Sequence, residues 1–273
     1  MAGTWDPHTG RERRSQSIDA GQAHAARVYD YWLGGKENYP ADRLAAEQIM
    51  SARPDITNTV RANRIFLARA VRYLAAEAGI DQFLDIGAGL PASDNVHEVA
   101  QSVNPGARVV YVDNDPVVIS HARALLLGAI HGTTAFVDAD VRDPDYVIGQ
   151  AAELLDFSRP VAITLLMVLQ FVGDESDPQD IVTRLMAAVP SGSHLVLSHP
   201  AKDVQLAGLA EGTKRYNELV NLPLTRRNHA QVSGFFTGLE MLEPGLVPIN
   251  RWRPAKDDGR PDAPAFAGIG RKP

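Results

Sequence analysis

The chain contains no cysteine among its 273 residues. This absence excludes disulfide bonds, thiolate zinc sites, iron–sulfur clusters and cysteine nucleophiles. The sequence also lacks an apolar run long enough to cross a bilayer, and its N-terminal segment lacks the apolar stretch of a secretion signal. We therefore expect a cytoplasmic protein that does not enter a membrane, and no metal site is indicated.

The chain also lacks a strong excess of positive or negative charge. The net charge is −6 and the pI is about 5.7, so no general affinity for nucleic acid is expected. The hydrophobic share of 45% and the charged share of 22% are those of an ordinary globular protein. A chain of this length can bury a sizeable core, as one large α/β domain or as one domain with a small appendage.

The first part of the chain differs in pattern from the rest. Residues 1–22 are polar and without periodicity, which is typical of a flexible tail. Residues 23–79 carry three helical patterns, and Gly79 is suited to end the last of them. We expect these residues to form a helical N-terminal cap on a domain that spans residues 80–273.

Beyond Gly79, apolar runs alternate with helical patterns. Several of the helical patterns begin at an Asp-Pro pair, which is a favoured helix start. The alternation predicts a parallel sheet with helices on both faces, and the last two strands are close enough in sequence to form an antiparallel edge. The candidate strands are residues 82–86, 108–112, 133–137, 161–167, 194–198, 240–247 and 265–270.

Acidic residues lie at the carboxyl ends of three consecutive candidate strands: Asp85, Asp113 and Asp140. Open α/β sheets bind their ligands beyond the carboxyl ends of the strands. One such acid is common, whereas three in successive units indicate a ligand site. The alternative is that these acids only cap the helices that follow. That interpretation fits Asp115 and Asp143 better, because each directly precedes a proline.

The turn after the first strand favours one cofactor. Gly87-Ala88-Gly89 directly follow Ile86 and allow a ligand to approach the backbone. A carboxylate at Asp85 would repel a pyrophosphate but attract S-adenosylmethionine (SAM), which carries an ammonium and a sulfonium. Asp85 would then face the ammonium and Asp113 the ribose hydroxyls, while Asp140 would accept from the adenine amino group, near Val141.

A dinucleotide such as NAD is the alternative cofactor, since residues 87–92 formally match G-x-G-x-x-A. The match is weak because the best helix start comes later, with Asn95 as N-cap and Glu98 completing a capping box. The loop is then too long for a tight phosphate turn at a helix N-terminus. The chain also lacks a Tyr-x-x-x-Lys pair and a nucleoside triphosphate loop.

These residues resemble the class I SAM-dependent methyltransferases, and more narrowly the actinobacterial S-adenosyl methyltransferase family, formerly a domain of unknown function (DUF574). The resemblance covers nearly the whole chain beyond the tail, and its most specific part is the run from Tyr29 to Lys36. It implies a Rossmann-like seven-stranded sheet with the last strand antiparallel, and SAM bound over the first three strand ends. The residues expected to contact SAM are Asp85, Gly87, Ala88, Gly89, Asp113, Asn114, Asp140, Val141 and Met167.

Residues for the methyl acceptor are less distinct. The aromatic residues from Tyr29 to Trp32 would form a lid or stack on a flat substrate, unless their helix simply buries its aromatic face. Arg64, Tyr216 and Arg226 would bind an acidic or polar substrate, unless the arginines are merely solvated. The substrate or lid candidates are Tyr31, Gly34, Lys36, Arg64 and Tyr216.

No residue stands out as catalytic. His199, just past the fifth strand, is a weak candidate for a general base, with a hydrogen-bonded loop histidine as the alternative. Gln170 stands where a histidine is expected after the fourth strand. We therefore expect a SAM-dependent methyltransferase that acts on a small molecule of unknown identity. The alternatives are a non-catalytic protein that binds SAM or S-adenosylhomocysteine and, less favoured, an NAD-dependent oxidoreductase.

Overall fold

The computed structural model describes residues 19–126, 133–204, 206–254 and 261–273, together with two short N-terminal strands, β1 (Thr4–Trp5) and β2 (Glu12–Arg13). These two strands pair antiparallel. The remainder of the predicted tail up to residue 18 lies outside the described residues. The segment just after it is fixed by Arg27, whose guanidinium donates to the carbonyl oxygens of Asp19 (3.1 Å) and Gln22 (2.8 Å).

Helices and strands alternate along the chain as predicted. The described helices are α1 (Ala25–Leu33), α2 (Pro40–Ala52), α3 (Ile56–Ala76), α4 (Val96–Val103), α5 (Pro116–Leu126), α6 (Pro144–Ala151), α7 (Pro178–Ala187), α8 (Leu209–Leu219) and α9 (His229–Gly234). The strands of the main sheet are β3 (Gln82–Ile86), β4 (Arg108–Asp113), β5 (Thr134–Asp138), β6 (Ala162–Leu166), β7 (His194–Pro200), β8 (Glu240–Met241), β9 (Val247–Pro248) and β10 (Ala265–Arg271).

The order of the main sheet is β5-β4-β3-β6-β7-β10-β8, and β9 also pairs with β10. Strands β3 to β7 are mutually parallel, whereas β10 runs antiparallel to β7, β8 and β9. From β3 the chain builds outwards to β5 and then returns to place β6 on the other side of β3. This reversal puts the topological switch point, where such sheets bind ligands, between β3 and β6.

The described sheet has eight strands rather than the seven expected, because the predicted strand 240–247 is interrupted. Only its two ends pair with β10, as β8 and β9. Between them Pro244 has no N–H to donate to a ladder, and Gly245 has a φ of 85°, which an extended strand does not use. The expectation of an antiparallel edge is confirmed, and the expectation of a single strand there is wrong.

Apolar side chains cover both faces of the sheet, because alternate residues of a strand point in opposite directions. Leu84 and Ile86 pack on the side of α6, α7 and α9, while Phe83 packs on the side of α3 and α4. Asp85 belongs by this alternation to the α3 side, at the carboxyl end of β3. Among the described residues, no helix is both long enough and apolar enough to cross a membrane.

A smaller apolar cluster lies above the carboxyl ends of the strands. It contains residues of α1, α2 and α8 and of the first turns of α3, and it is centred on Trp32, Ile49 and Tyr216. The buried carboxylate of Asp42 fixes the start of this layer, since it accepts from the backbone N–H of His24 (2.9 Å) and pairs with Arg27 (3.3 Å). These helices form a roof over the carboxyl ends of the strands.

Candidate functional site

The turn after β3 is shaped by its glycines. The backbone N–H groups of Gly87 and Ala88 both donate to the carbonyl oxygen of Val112 (2.8 and 3.1 Å), so the turn curls over the end of β4. Gly87 has a φ of 78°, and a Cβ there would lie 2.3 Å from the Val168 side chain. Gly89 has a φ of 65° with no protein atom near its missing Cβ. The first glycine is therefore required by packing, whereas the second leaves open space for a ligand.

Asp85 is a buried carboxylate at this turn, with only 6% of its surface exposed. Its Oδ1 accepts a hydrogen bond from the hydroxyl of Thr164 on β6. Burial raises the pKa of Asp85 to about 6, and the Thr164 hydroxyl and the charge of Arg64 act in the opposite direction. The protein itself only partly stabilises the ionised form of Asp85, and a cationic group placed beside the carboxylate would stabilise it further.

Asp113 ends β4 and ties the loops on either side together. Its Oδ2 accepts from the backbone N–H of Gly89 (2.8 Å), and its Oδ1 accepts from that of Asp115 (2.9 Å). Burial raises the pKa of Asp113 despite these hydrogen bonds. Each carboxylate oxygen retains a further lone pair, so Asp113 can still accept from two ligand hydroxyls.

Asp140 is the acid after β5, and its side chain is already engaged. Arg142 donates to its Oδ1 through Nε (2.9 Å) and to its Oδ2 through Nη2 (2.6 Å), and Asn114 donates to Oδ2 (3.0 Å). Although burial opposes the effect, the hydrogen bonds from Arg142 hold the pKa of Asp140 below its usual range. The carboxylate is thus a neutralised acceptor and differs in this respect from Asp85.

A single cavity joins this sheet edge to the roof. All nine residues expected to contact SAM line it, together with side chains from α1, α2, α3 and α8. The cavity wall is largely apolar on the roof side and carries the acids on the sheet side. On the roof side its lining includes Tyr29, Trp32, Ile49, Arg53, Val60, Asn63, Arg64 and Tyr216, in or next to the roof helices. The segments after β6 and between α8 and α9 add Phe171, Leu222, Leu224 and Arg226.

The substrate and lid candidates divide into two groups. Arg64 and Tyr216 line the cavity, whereas Tyr31, Gly34 and Lys36 do not. Tyr31 points away, and its hydroxyl donates to Glu47 (2.9 Å). Gly34 ends α1 in the left-handed conformation, with a φ of 85°. Along a helix, neighbouring residues face different directions, which is why Trp32 reaches the cavity and Tyr31 does not.

The run from Tyr29 to Lys36 forms much of the roof's internal framework. Asp30 accepts from Asn38 Nδ2 (2.8 Å) and from the backbone N–H of Glu37 (3.0 Å). A Cβ on Gly35 would lie 1.9 Å from Asp30 Oδ1, so only glycine fits beside this carboxylate. The second glycine of the run therefore allows Asp30 to close the loop after α1.

His199 is fully buried and does not line the cavity. Its neighbour Ser198 faces the roof and donates to Asn63 (2.7 Å), so His199 points to the opposite face of β7. There Arg227 donates to its Nε2 (3.0 Å), and Nδ1 therefore carries the proton and donates to the carbonyl oxygen of Pro200 (3.0 Å). Burial lowers the pKa of His199 to about 4. The position fits the hydrogen-bonded alternative.

The loop after β6 brings a polar group to the cavity. Met167 has a φ of 54°, an unusual value for a residue with a side chain, and its N–H donates to Ser198 Oγ (3.1 Å). Gln170 donates from Nε2 to the carbonyl oxygen of Met167 (2.6 Å). Its Oε1 is buried and has no hydrogen-bond partner among the described residues. Gln170 lines the cavity, but this oxygen is enclosed in the protein and is a buried acceptor without a donor.

A histidine from the chain before α1 also reaches the cavity, which the sequence reasoning missed. Nδ1 of His24 lies 2.6 Å from Oδ2 of the buried Asp115. Asp115 also caps α5 as predicted, since its Oδ1 accepts from the N–H of Val117 (2.8 Å). Because ninety residues of chain separate His24 from Asp115, no local sequence pattern indicates that they meet.

Comparisons with known proteins identify the family. A model of the S-adenosyl methyltransferase family matches residues 11–273. The chain belongs to the S-adenosyl methyltransferase family. It is therefore a SAM-dependent methyltransferase that transfers a methyl group to an acceptor, and the NAD hypothesis is not supported. A comparison with curated proteins finds no match.

Solved structures agree with this assignment. A DUF574 family protein from Streptomyces avermitilis is 43% identical, with a TM-score of 0.90 over 94% of this chain and 100% of that one. A candidate methyltransferase from Thermobifida fusca is 40% identical, with a TM-score of 0.87 over 93% of this chain and 96% of that one. Mitomycin 7-O-methyltransferase is 17% identical, with a TM-score of 0.51 over 95% and 74% of the two chains, and shows the fold alone.

Proposed function

We propose that SAM binds at the sheet end of the cavity, with its methionine end at Asp85 and Arg64 and its ribose at Asp113. The charges support this orientation, because Asp85 offers a carboxylate to the ammonium and Arg64 a guanidinium to the methionine carboxylate. Gly87, Ala88 and Gly89 supply the backbone against which the methionine part lies.

The adenine end extends towards β5. Asn114 and Val141 flank it, and Asp140 accepts from the adenine amino group while remaining paired with Arg142. Met167 borders the cofactor on the β6 side. Residues 23–79 serve as the cap over the cavity, so this segment governs access for both SAM and the acceptor.

The methyl acceptor is a small molecule. The observation that carries this proposal is that the roof and the cofactor residues line one cavity, so the acceptor lies beneath α1, α2 and α8. A polymer would need an open groove at this edge. We expect the protein to act in the cytoplasm, with no nucleic-acid or membrane partner, in keeping with its net charge of −6.

Bound SAM supplies a methyl group attached to a positively charged sulfur. The thioether that this sulfur becomes is an excellent leaving group. The protein's own residues then have to align the acceptor and exclude water. The apolar side chains of Val60, Phe171 and Leu224 keep the roof side of the cavity dry.

Calorimetric titration with SAM, S-adenosylhomocysteine and NAD tests the cofactor site. Methyl transfer from labelled SAM to a whole-cell extract, which is then separated into small molecules, nucleic acid and protein, tests the acceptor. We expect micromolar binding of the two sulfur ligands, no binding of NAD, and label in a low-molecular-weight product. Tight SAM binding without any transfer would favour the non-catalytic alternative. Label found only in nucleic acid or protein would overturn the small-molecule proposal.

A further inference from the structure

Two arginines occupy the roof side of the cavity, away from the proposed cofactor site. Arg53 follows the end of α2, and Arg226 lies in the loop before α9. Both line the cavity together with Tyr216 and Leu222. Their surroundings decide whether these cations are already neutralised within the protein.

Arg53 is buried, with 8% of its surface exposed. Its Nη2 donates to Thr59 Oγ1 (2.8 Å), while the carboxylate of Asp55 is 3.5 Å from the same nitrogen. Its Nε is buried without a hydrogen-bond partner among the described residues. Burial lowers the pKa of Arg53, although the charge of Asp55 acts against this. The guanidinium thus retains unused donors, although Asp55 partly neutralises its charge.

Arg226 has no carboxylate partner among the described residues. Its Nη1 donates to the carbonyl oxygen of Ala201 (3.2 Å). Burial lowers its pKa, and the charge of Arg53 lowers it further, so the two cations repel each other across this part of the cavity. Two guanidinium groups at the wall of one cavity, only one of which has a carboxylate partner among the described residues, form a favourable site for an anion.

Several other arginines of this protein are paired much more closely. Each of five arginines, some of them largely exposed, has a carboxylate oxygen within 3.0 Å. These five residues are Arg142, Arg159, Arg215, Arg227 and Arg271. Incomplete pairing is not confined to this site, since Arg43, Arg64 and Arg108 also lack a carboxylate partner among the described residues. The case for an anion site therefore rests on the position of both guanidinium groups at the wall of one cavity.

The cofactor does not account for this pair. Arg64 is the arginine whose charge acts on Asp85, and it serves the methionine carboxylate in the proposed orientation. Arg53 lies instead against α8, where a Cβ added to Gly212 would lie 2.9 Å from the Cβ of Arg53. The absence of a side chain at Gly212 lets Arg53 lie between α2 and α8 and face the cavity.

Aromatic side chains form the wall beside the two cations. The ring of Tyr216 lies 6.3 Å from that of Trp32 and 6.3 Å from that of Phe171, the latter nearly parallel at 23°. Leu222 and Leu224 complete this surface. Flat apolar ligands pack well against such a wall.

We propose that the methyl acceptor is an aromatic compound with an anionic group, a carboxylate or a phosphate, which Arg53 and Arg226 bind. The inference rests on the proposed function, since it assigns the acceptor end of that same cavity. The anion anchors the acceptor, and methylation takes place at another atom, because an anion held by two guanidinium groups is a poor nucleophile.

The test uses protein saturated with S-adenosylhomocysteine and calorimetric titration with matched probes. The probes are 4-hydroxybenzoate, indole-3-carboxylate, the primary amides of both acids, and phenyl phosphate. We expect at least one anion to bind at least tenfold more tightly than its neutral counterpart. Whether the carboxylates or phenyl phosphate bind more tightly identifies the anion.

Variants assign the effect to the pair. Arg226→Gln should remove the preference for anions, Arg226→Lys should keep part of it, and Arg61→Gln, an exposed change on α3 outside the cavity, should leave it intact. All variants should bind S-adenosylhomocysteine as the parent does, which verifies that they fold. Equal binding of acids and amides, or no binding of any probe to protein that binds S-adenosylhomocysteine, overturns this inference alone. Failure of S-adenosylhomocysteine itself to bind overturns the proposed function.

Discussion

The two ends of the cavity are built in different ways. At the sheet end, neighbouring parallel strands carry Asp85, Asp113 and the turn at 87–89 at or just beyond their carboxyl ends. The register of β3 and β4 fixes the positions of these residues relative to one another. At the roof end, Arg53 and Arg226 are brought together by helices and loops that are far apart in sequence. The proposed cofactor end thus depends on the geometry of the sheet, whereas the proposed acceptor end depends on side chains carried by helices and loops.

The largest expected effect tests the sheet end. Asp113→Asn should weaken binding of S-adenosylhomocysteine by about 1.5–3 kcal/mol, or about 10- to 150-fold. The reason is that Asn offers one acceptor oxygen where the carboxylate offers two, while Gly89 and Asp115 each already donate to a different one. Calorimetric titration measures the loss.

The matched control for Asp113→Asn is Asp143→Asn. Asp143 also follows a strand and precedes a helix, but it caps α6 through the N–H of Tyr146 and does not line the cavity. Asn caps helices as well as Asp, so stability and binding should both be preserved. Parent-like affinity in Asp113→Asn would remove the sheet end from the cofactor site.

The next effect concerns the charge of Asp85. Because burial raises its pKa to about 6, this carboxyl is largely protonated in the free protein below that pH and offers no charge to an ammonium. The affinity for S-adenosylhomocysteine should therefore fall as the pH drops below about 6, by up to about tenfold per pH unit. Titrations between pH 5 and pH 8 measure this slope, and Asp85→Asn should bind weakly with no such slope.

The same group gives an opposite trend in the stability of the free protein. Its pKa is higher in the folded protein than the usual 3.8, so the folded state binds the proton more tightly. The stabilisation from this group is thus full below about pH 4 and is lost as the pH rises through about 6. Chemical unfolding of the parent and Asp85→Asn across this range compares the two slopes, and parallel curves would contradict the assignment.

A third prediction separates the sheet end from the core beneath it. His199→Gln should reduce the free energy of unfolding by about 1–3 kcal/mol, because Arg227 would lose a well-placed buried acceptor. The affinity for S-adenosylhomocysteine should not change, since His199 lies outside the cavity. A variant of normal stability that binds cofactor but cannot transfer methyl would restore His199 as a catalytic candidate.

The pH dependence of stability provides a second measure of this residue. Burial lowers the pKa of His199 from 6.5 to about 4, so the unfolded chain takes up the proton first. Its contribution is present above about pH 6.5 and is lost as the pH falls through about 4. Removing the histidine should flatten the stability profile in that window.

The same contrast explains what could be predicted from the sequence. The sequence predicts the strand at 82–86, and with it the acid and the glycine turn, because apolar runs and turn residues are local signals. The sequence does not predict which face of its strand His199 lies on. A shift of one residue along a strand reverses the face, and no local pattern distinguishes the two faces here. The sequence gives no signal for Arg53, because only tertiary packing brings it near α8 and Arg226.

The smallest expected effect tests the roof itself. Tyr31→Phe should change stability and cofactor affinity by less than about 0.5 kcal/mol, because its hydroxyl only reaches Glu47 at the surface. The comparison is Trp32→Phe, one residue further along α1, which removes part of the buried wall beside Tyr216. That change should lower stability and weaken binding of the aromatic probes. If Tyr31→Phe instead weakened their binding as much, then α1 would have to turn its other face to the cavity when ligands bind, and the roof would act as a moving lid rather than a fixed wall.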